Sequence, residues 1–72
     1  MRQSFSVEVT NTFSGEANYS WVRRYEVKAK SFRGAINAVS RREGYRFRKD
    51  WDDGEMARYN AIGACVCCFV SL

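Results

Sequence analysis

From Ser4 to Thr10 apolar and polar residues alternate: Phe5, Val7 and Val9 fall between Ser4, Ser6, Glu8 and Thr10. A period of two puts each set on its own face of a strand, so the segment predicts a half-buried β-strand. Asn11 to Asn18 contains Ser14-Gly15 and predicts a hairpin connection, with Phe13 an apolar residue close to the turn. A second strand is predicted from about Tyr19 to Ala29. Tyr25, Val27 and Ala29 continue the inward face, while Arg24, Glu26 and Lys28 point the other way. A connection centred near Gly15 keeps Phe5, Val7 and Val9 on the face of Tyr25 and Val27 if it holds an odd number of residues.

Ser31 suits an N-cap. Phe32, Ala35, Ile36 and Val39 follow at the i, i+3, i+4, i+7 spacing of one helical face. Gly44, after Arg41-Arg42-Glu43, suits the left-handed residue that ends a helix. The spacing predicts a helix over 32–43, too short to be stable alone, so its apolar stripe must dock on the sheet. Tyr45 to Trp51 predicts a third strand, with Tyr45 and Phe47 inward and Arg46 and Arg48 outward. Asp52-Asp53-Gly54 predicts a tight turn, because Asp-Gly supplies the positive φ angles it needs. Glu55 to Asn60 predicts a fourth strand. Gly63 lies in the next turn, and Ala64 to Leu72 predicts a fifth strand with Val66, Cys68 and Val70 on one face.

The expected architecture is α+β: a single domain over residues 1–72, an antiparallel sheet of about five strands in the order β-β-α-β-β-β, and one helix packed on one face. The helix is expected to cross the sheet before the chain re-enters as the third strand. It covers one face only, so the other meets solvent or a partner.

Composition narrows the function. A chain of 72 residues buries only about 60% of the surface its unfolded form exposes, enough for one core but not for a deep internal active site. Aromatics, at 15%, compensate for that small core. No apolar run follows Met1-Arg2-Gln3-Ser4, and none approaches the ~20 residues of a membrane span, so neither a secretory leader nor a membrane partner is expected. Cys65, Cys67 and Cys68 are odd in number and crowded on one predicted strand, where neighbours point to opposite faces. They are expected to be reduced thiols in a cytoplasmic protein.

Candidate chemistry is sparse. The chain has no histidine, the commonest acid–base group near neutral pH, and no Ser or Cys with a recognisable base. Asp50, Asp52 and Asp53 surround a tight turn, where Asp side chains bond their own backbone, and no further oxygen ligands follow at calcium-loop spacing. Cys65-Val66-Cys67-Cys68 lacks the second ligand pair of a structural zinc site. Small packed hydrophobes are the simpler reading of these thiols. No cofactor, no metal and no catalysis are expected.

Binding is the remaining class. The net charge is +4, from 12 Lys and Arg against 8 Asp and Glu, and favours an acidic protein surface or nucleic acid. Arg33, Asn37 and Arg41 recur every fourth residue opposite the helix's apolar stripe. Arg24 and Lys28 on one strand, Arg46 and Arg48 on another, form an expected outward sheet face that Arg58 could join. The competing reading is a solvated face, with Glu8 and Glu26 as cross-strand ion-pair partners. Tyr19-Ser20-Trp21-Val22-Arg23-Arg24-Tyr25 has the aromatic–Arg composition of a contact surface. It would equally suit stacking on single-stranded bases. The candidate contact residues are therefore Tyr19, Trp21, Arg23, Arg24, Lys28, Arg33, Arg41, Arg46 and Arg48. Phe5, Tyr25, Phe32 and Phe47 are assigned to the core, and Phe13, Tyr19, Trp21, Trp51 and Tyr59 to loops or strand ends. Exposed edge strands leave both a monomer and a dimer open.

Tyr25-Glu26-Val27-Lys28-Ala29-Lys30-Ser31, followed by a short helix with Ala35 and Ala38 and then Gly44, resembles a pattern in small phage and mobile-element proteins of the anti-CRISPR kind. The resemblance covers roughly Tyr25 to Gly63 and transfers no residue roles. It implies a phage-encoded inhibitor in the host cytoplasm that acts without catalysis, by occupying a surface of a CRISPR effector complex. Many such proteins are acidic and imitate DNA. The basic charge of this chain points instead to steric blocking or DNA-assisted binding.

Overall fold

A computed structural model describes residues 2–72. β1 (Gln3–Phe13), β2 (Glu16–Ala29), α1 (Phe32–Glu43), β3 (Phe47–Asp52), β4 (Met56–Ala61) and β5 (Val66–Ser71) follow in that order. All strand pairs are antiparallel, in one five-stranded sheet ordered β2-β1-β5-β4-β3. The α+β expectation is met. The first and last strands lie side by side at the centre, and β2 and β3 form opposite edges. α1 therefore has to cross the sheet between them, and it packs on β2, β1, β5 and β3.

The helix begins and ends where local chemistry directs. The Ser31 hydroxyl accepts the Gly34 N–H at 3.1 Å. Gly44, at φ 80°, returns its N–H to the Ser40 carbonyl at 2.9 Å. Ala35, Ile36 and Val39 are buried against Phe5, Val7 and Val9 of β1 and Val66, Cys68 and Val70 of β5. Phe32 meets Phe5 edge-to-face at 5.5 Å.

The first hairpin departs from expectation. Its turn is only Ser14-Gly15, both at positive φ, so the strands run on to Phe13 and back from Glu16. The irregularity lies further down as a bulge: Thr10 pairs with Val22 and Thr12 with Ala17, leaving residues 18–21 opposite Asn11. Tyr19 takes φ 58° there, a conformation that strains a bulky residue. Two β1 side chains hold it. The Thr10 hydroxyl accepts the Tyr19 N–H and donates to the Trp21 carbonyl, each at 3.0 Å, and Asn11 Oδ1 accepts the Ser20 N–H at 3.0 Å. Thr10 is wholly buried although it faces away from the helix.

Tyr59 corrects a second expectation. It is 2% exposed and belongs to the core, beside Ala57 on the helix-facing side of β4. Strands three, four and five each start one or two residues later than the sequence pattern suggests.

Candidate functional site

The register separates residues that sequence spacing had joined. Val9 pairs with Arg23, Val7 with Tyr25 and Phe5 with Val27, so Arg23 and Tyr25 face the helix. Glu8 pairs with Arg24 and Ser4 with Lys28 on the open face. The run from Tyr19 to Tyr25 is thus not one contact surface. Trp21 is half-buried against the core, and Arg23 stacks over its ring at 4.3 Å. Arg23 also grips Glu43 with two hydrogen bonds, Nε to Oε2 at 2.7 Å and Nη2 to Oε1 at 2.6 Å. The Tyr25 hydroxyl donates to the same carboxylate, and the Arg42 guanidinium lies 5.7 Å from the Tyr25 ring centre. The Glu43 side chain is only 3% exposed. Arg23 holds the Glu43 carboxyl below its ordinary range, whereas the bond to Glu43 pushes the Tyr25 phenol up. Trp21 and Arg23 therefore close the C-terminal end of α1, with half of the Arg23 side chain still exposed.

The outward basic face is also divided. Arg24 and Lys28 lie on β2 and Arg48 on β3, at opposite edges, about 19 Å apart at four strand spacings. Arg24 is paired with Glu8 at 3.1 Å, the cross-strand partner expected of a solvated face, while Glu26 accepts the Ser6 hydroxyl at 2.7 Å. Arg58 does not join a free patch. It donates to Asn60 Oδ1 at 3.0 Å and to the Gly15 carbonyl at 2.7 Å, and lies 3.6 Å from Asp50. Its reach to Gly15 fastens the tip of the first hairpin to β4, and its guanidinium faces Phe69 at 5.8 Å. Beyond that latch, a groove of about 470 Å³ crosses Ser6 and Ser71 between Arg24 and Glu26 on one wall and Met56 and Phe69 on the other. A bulge between Lys49 and Trp51 turns Trp51 to this face, 6.4 Å from Phe69. Tyr19, half exposed, reaches it as well, where partial burial and the neighbouring Glu8 carboxylate raise its phenol pKa.

The acidic turn is structural. Asp52 Oδ1 accepts the Gly54 N–H at 2.8 Å, and Asp53 Oδ1 accepts from Glu55 and Met56 at 2.9 and 2.8 Å, which lowers the Asp53 pKa. No cluster of three His, Cys, Asp or Glu suited to a metal occurs among the described residues. Cys67 and Cys68 are buried, and desolvation raises both thiols, Cys68 to about 12, so both are poor nucleophiles near neutral pH. Cys65 is exposed.

Among the described residues the remaining predicted cations have no carboxylate within 4 Å. Arg33 and Arg41 are exposed on α1, about 12 Å apart along the helix axis. Arg48 is on edge strand β3, and Arg46 immediately precedes it. Sequence spacing missed Lys49 and Tyr59. Lys49 pairs with Tyr59 and so turns to the helix side, where both line a groove of about 380 Å³ with Ser31, Phe32, Arg33, Asp52 and Gly54. Parity with Phe47 was the available signal for Lys49. Parity with Tyr25 likewise marked Arg23 and Trp21 as inward.

The class defined by this geometry is a ββαβββ domain with one helix-covered and one open sheet face. No protein-family model matches the chain, and neither a curated protein nor a solved structure matches it.

Proposed function

We propose that this is a non-catalytic binding protein that blocks a nucleic-acid-handling complex by seating a cationic side on an acidic surface there. The observation that supports it is the division of charge. Three cations, Arg23, Arg24 and Arg58, are committed to Glu43, Glu8 and Asp50. Among the described residues the other nine Lys and Arg have no carboxylate within 4 Å. Six of those nine, Arg33, Arg41, Arg42, Arg46, Arg48 and Lys49, belong to α1 or to β3 and its approach. They sit on two elements, the helix and the edge strand β3 with its approach. Arginine forks there suit carboxylates or phosphates. The anti-CRISPR resemblance makes a CRISPR effector complex in the host cytoplasm the partner to try first.

The test mixes purified effector complexes with labelled target DNA and an excess of this protein. The expected result is loss of DNA engagement by at least one effector, restored when Arg41, Arg46 and Arg48 are all changed to Glu. No association with any effector and no change in DNA engagement would remove the inhibitor reading. A second reading, a module that contacts nucleic-acid phosphates itself, is favoured by the convergence of Arg33 and Lys49 on one groove. Its mark is affinity for bare DNA or RNA that falls steeply with salt and is indifferent to sequence.

A further inference from the structure

The groove at the start of α1 breaks a local rule. The N-terminal end of a helix carries partial positive charge and favours anions. The first turn of this helix holds no acidic residue. It holds Arg33 instead, with Lys30 just before the cap and Lys49 facing it from β3. Positive groups from two elements thus converge on a positive helix end, an arrangement that costs stability unless an anion joins it.

The other groups in the groove are donors. Ser31 Oγ and its carbonyl take up the Gly34 and Ala35 N–H groups, so the Phe32 and Arg33 N–H groups are the ones left at the helix end. Tyr59 is 98% buried and lines the groove, and burial raises its phenol, which therefore stays protonated near neutral pH. The side chain facing its ring is Arg33, 5.6 Å from the ring centre. Arg33 is itself a donor and cannot accept from the phenolic O–H, and among the described residues no hydrogen bond from that O–H occurs. Asp52 is the one carboxylate on the groove wall, and its Oδ1 is engaged by the Gly54 N–H of the turn.

We propose that this groove binds a phosphate group, held by the Arg33 fork, the Lys49 ammonium, the Tyr59 hydroxyl and the first N–H groups of α1. A free phosphate ion and a phosphate of a nucleic-acid strand supply the same oxygens. The planar guanidinium takes two of them, and the helix end takes a third. The site stands apart from the proposed blocking function, for which Arg41, Arg46 and Arg48 remain whether or not phosphate binds here.

The experiment follows backbone amide shifts of the 15N-labelled protein during titration with sodium phosphate at neutral pH, against sodium chloride of equal ionic strength. The expected result is a saturable shift at Phe32 and Arg33, absent with chloride. Arg33→Gln or Lys49→Gln weakens it about tenfold, and Tyr59→Phe weakens it about fivefold, since the ring is kept and only the hydroxyl is lost. Asp52→Asn keeps the turn acceptor and removes a repelling charge, so it tightens binding. Arg33 and Lys49 are exposed, so their variants fold even if Tyr59→Phe does not. A second arm uses a short oligonucleotide with and without a 5′ phosphate. Shifts that require the 5′ phosphate assign the site to a terminal monoester, and equal shifts assign it to the backbone. No saturable shift at Phe32 and Arg33, or equal affinity in wild type, Arg33→Gln and Lys49→Gln, overturns the proposal.

Discussion

The two ends of the helix carry similar side chains and treat them differently. At the C-terminal end Arg23, Tyr25 and Arg42 gather around Glu43, which is buried and accepts from both Arg23 and Tyr25. At the N-terminal end Arg33, Lys49 and Tyr59 line one groove with Asp52, whose carboxylate lies within 4 Å of neither cation. One carboxylate makes the first cluster part of the fold. Without such a pairing the second stays available to something outside the fold. An arginine's contribution to binding therefore cannot be counted from sequence charge. What matters is whether the chain itself supplies its partner.

The largest effect is expected from removing that carboxylate. Glu43→Ala leaves the Arg23 fork and the Tyr25 hydroxyl without an acceptor at a nearly buried position, and should cost about 2–3 kcal/mol in urea unfolding. If it costs nothing measurable, the two helix ends do not differ in the way described. The Thr10 staple is the next test of internal commitment. Thr10→Val keeps the shape but strands the Tyr19 N–H and the Trp21 carbonyl, for an expected loss of about 1–2 kcal/mol.

Acid should act at the C-terminal end too. The Glu43 carboxyl titrates below its ordinary range in the folded protein. Its contribution is therefore complete above the unfolded value of about 4.3 and fades as pH falls through the lower folded value. Wild type should lose more stability than Glu43→Gln between about pH 5 and pH 2, where the variant has no such carboxyl to protonate. Parallel curves would remove Glu43 as the cause. The smallest effect has the opposite sign. Arg33→Glu places an anion in the first helical turn and should stabilise the protein by about 0.5 kcal/mol in phosphate-free buffer. A loss of stability would mean that Arg33 is already satisfied within the chain.

What the sequence revealed follows the range of the forces involved. The helix could be read to the residue because Ser31, the apolar stripe and Gly44 act within a few positions of one another. The strand alternation was legible for the same reason. The strand order was not, since it depends on β1 meeting β5 some sixty residues later, and it is this order that sends Arg24 and Lys28 to one edge and Arg48 to the other. The bulge at 18–21 was hidden because Tyr19 adopts a left-handed backbone through the Thr10 hydroxyl, nine residues away. Tyr59 looked peripheral because its helix-facing neighbours on β4 are only alanines, Ala57 and Ala61, which mark an inward face weakly. Arg33 and Arg41 were legible as exposed cations, but not the groove around Arg33, which needs Lys49 and Tyr59 brought in by the sheet.

The contrast between the helix ends is tested most directly by urea unfolding of wild type, Glu43→Gln and Arg33→Glu, each in chloride and in phosphate at equal ionic strength. A ligand that binds only the folded state raises its stability in proportion to the logarithm of its excess over Kd. The account predicts that phosphate raises the midpoints of wild type and Glu43→Gln by the same amount and leaves Arg33→Glu unmoved. It further predicts that in chloride Glu43→Gln lies below wild type and Arg33→Glu above it. Equal responses to phosphate in all three proteins, or a fall in chloride for both variants alike, would contradict it.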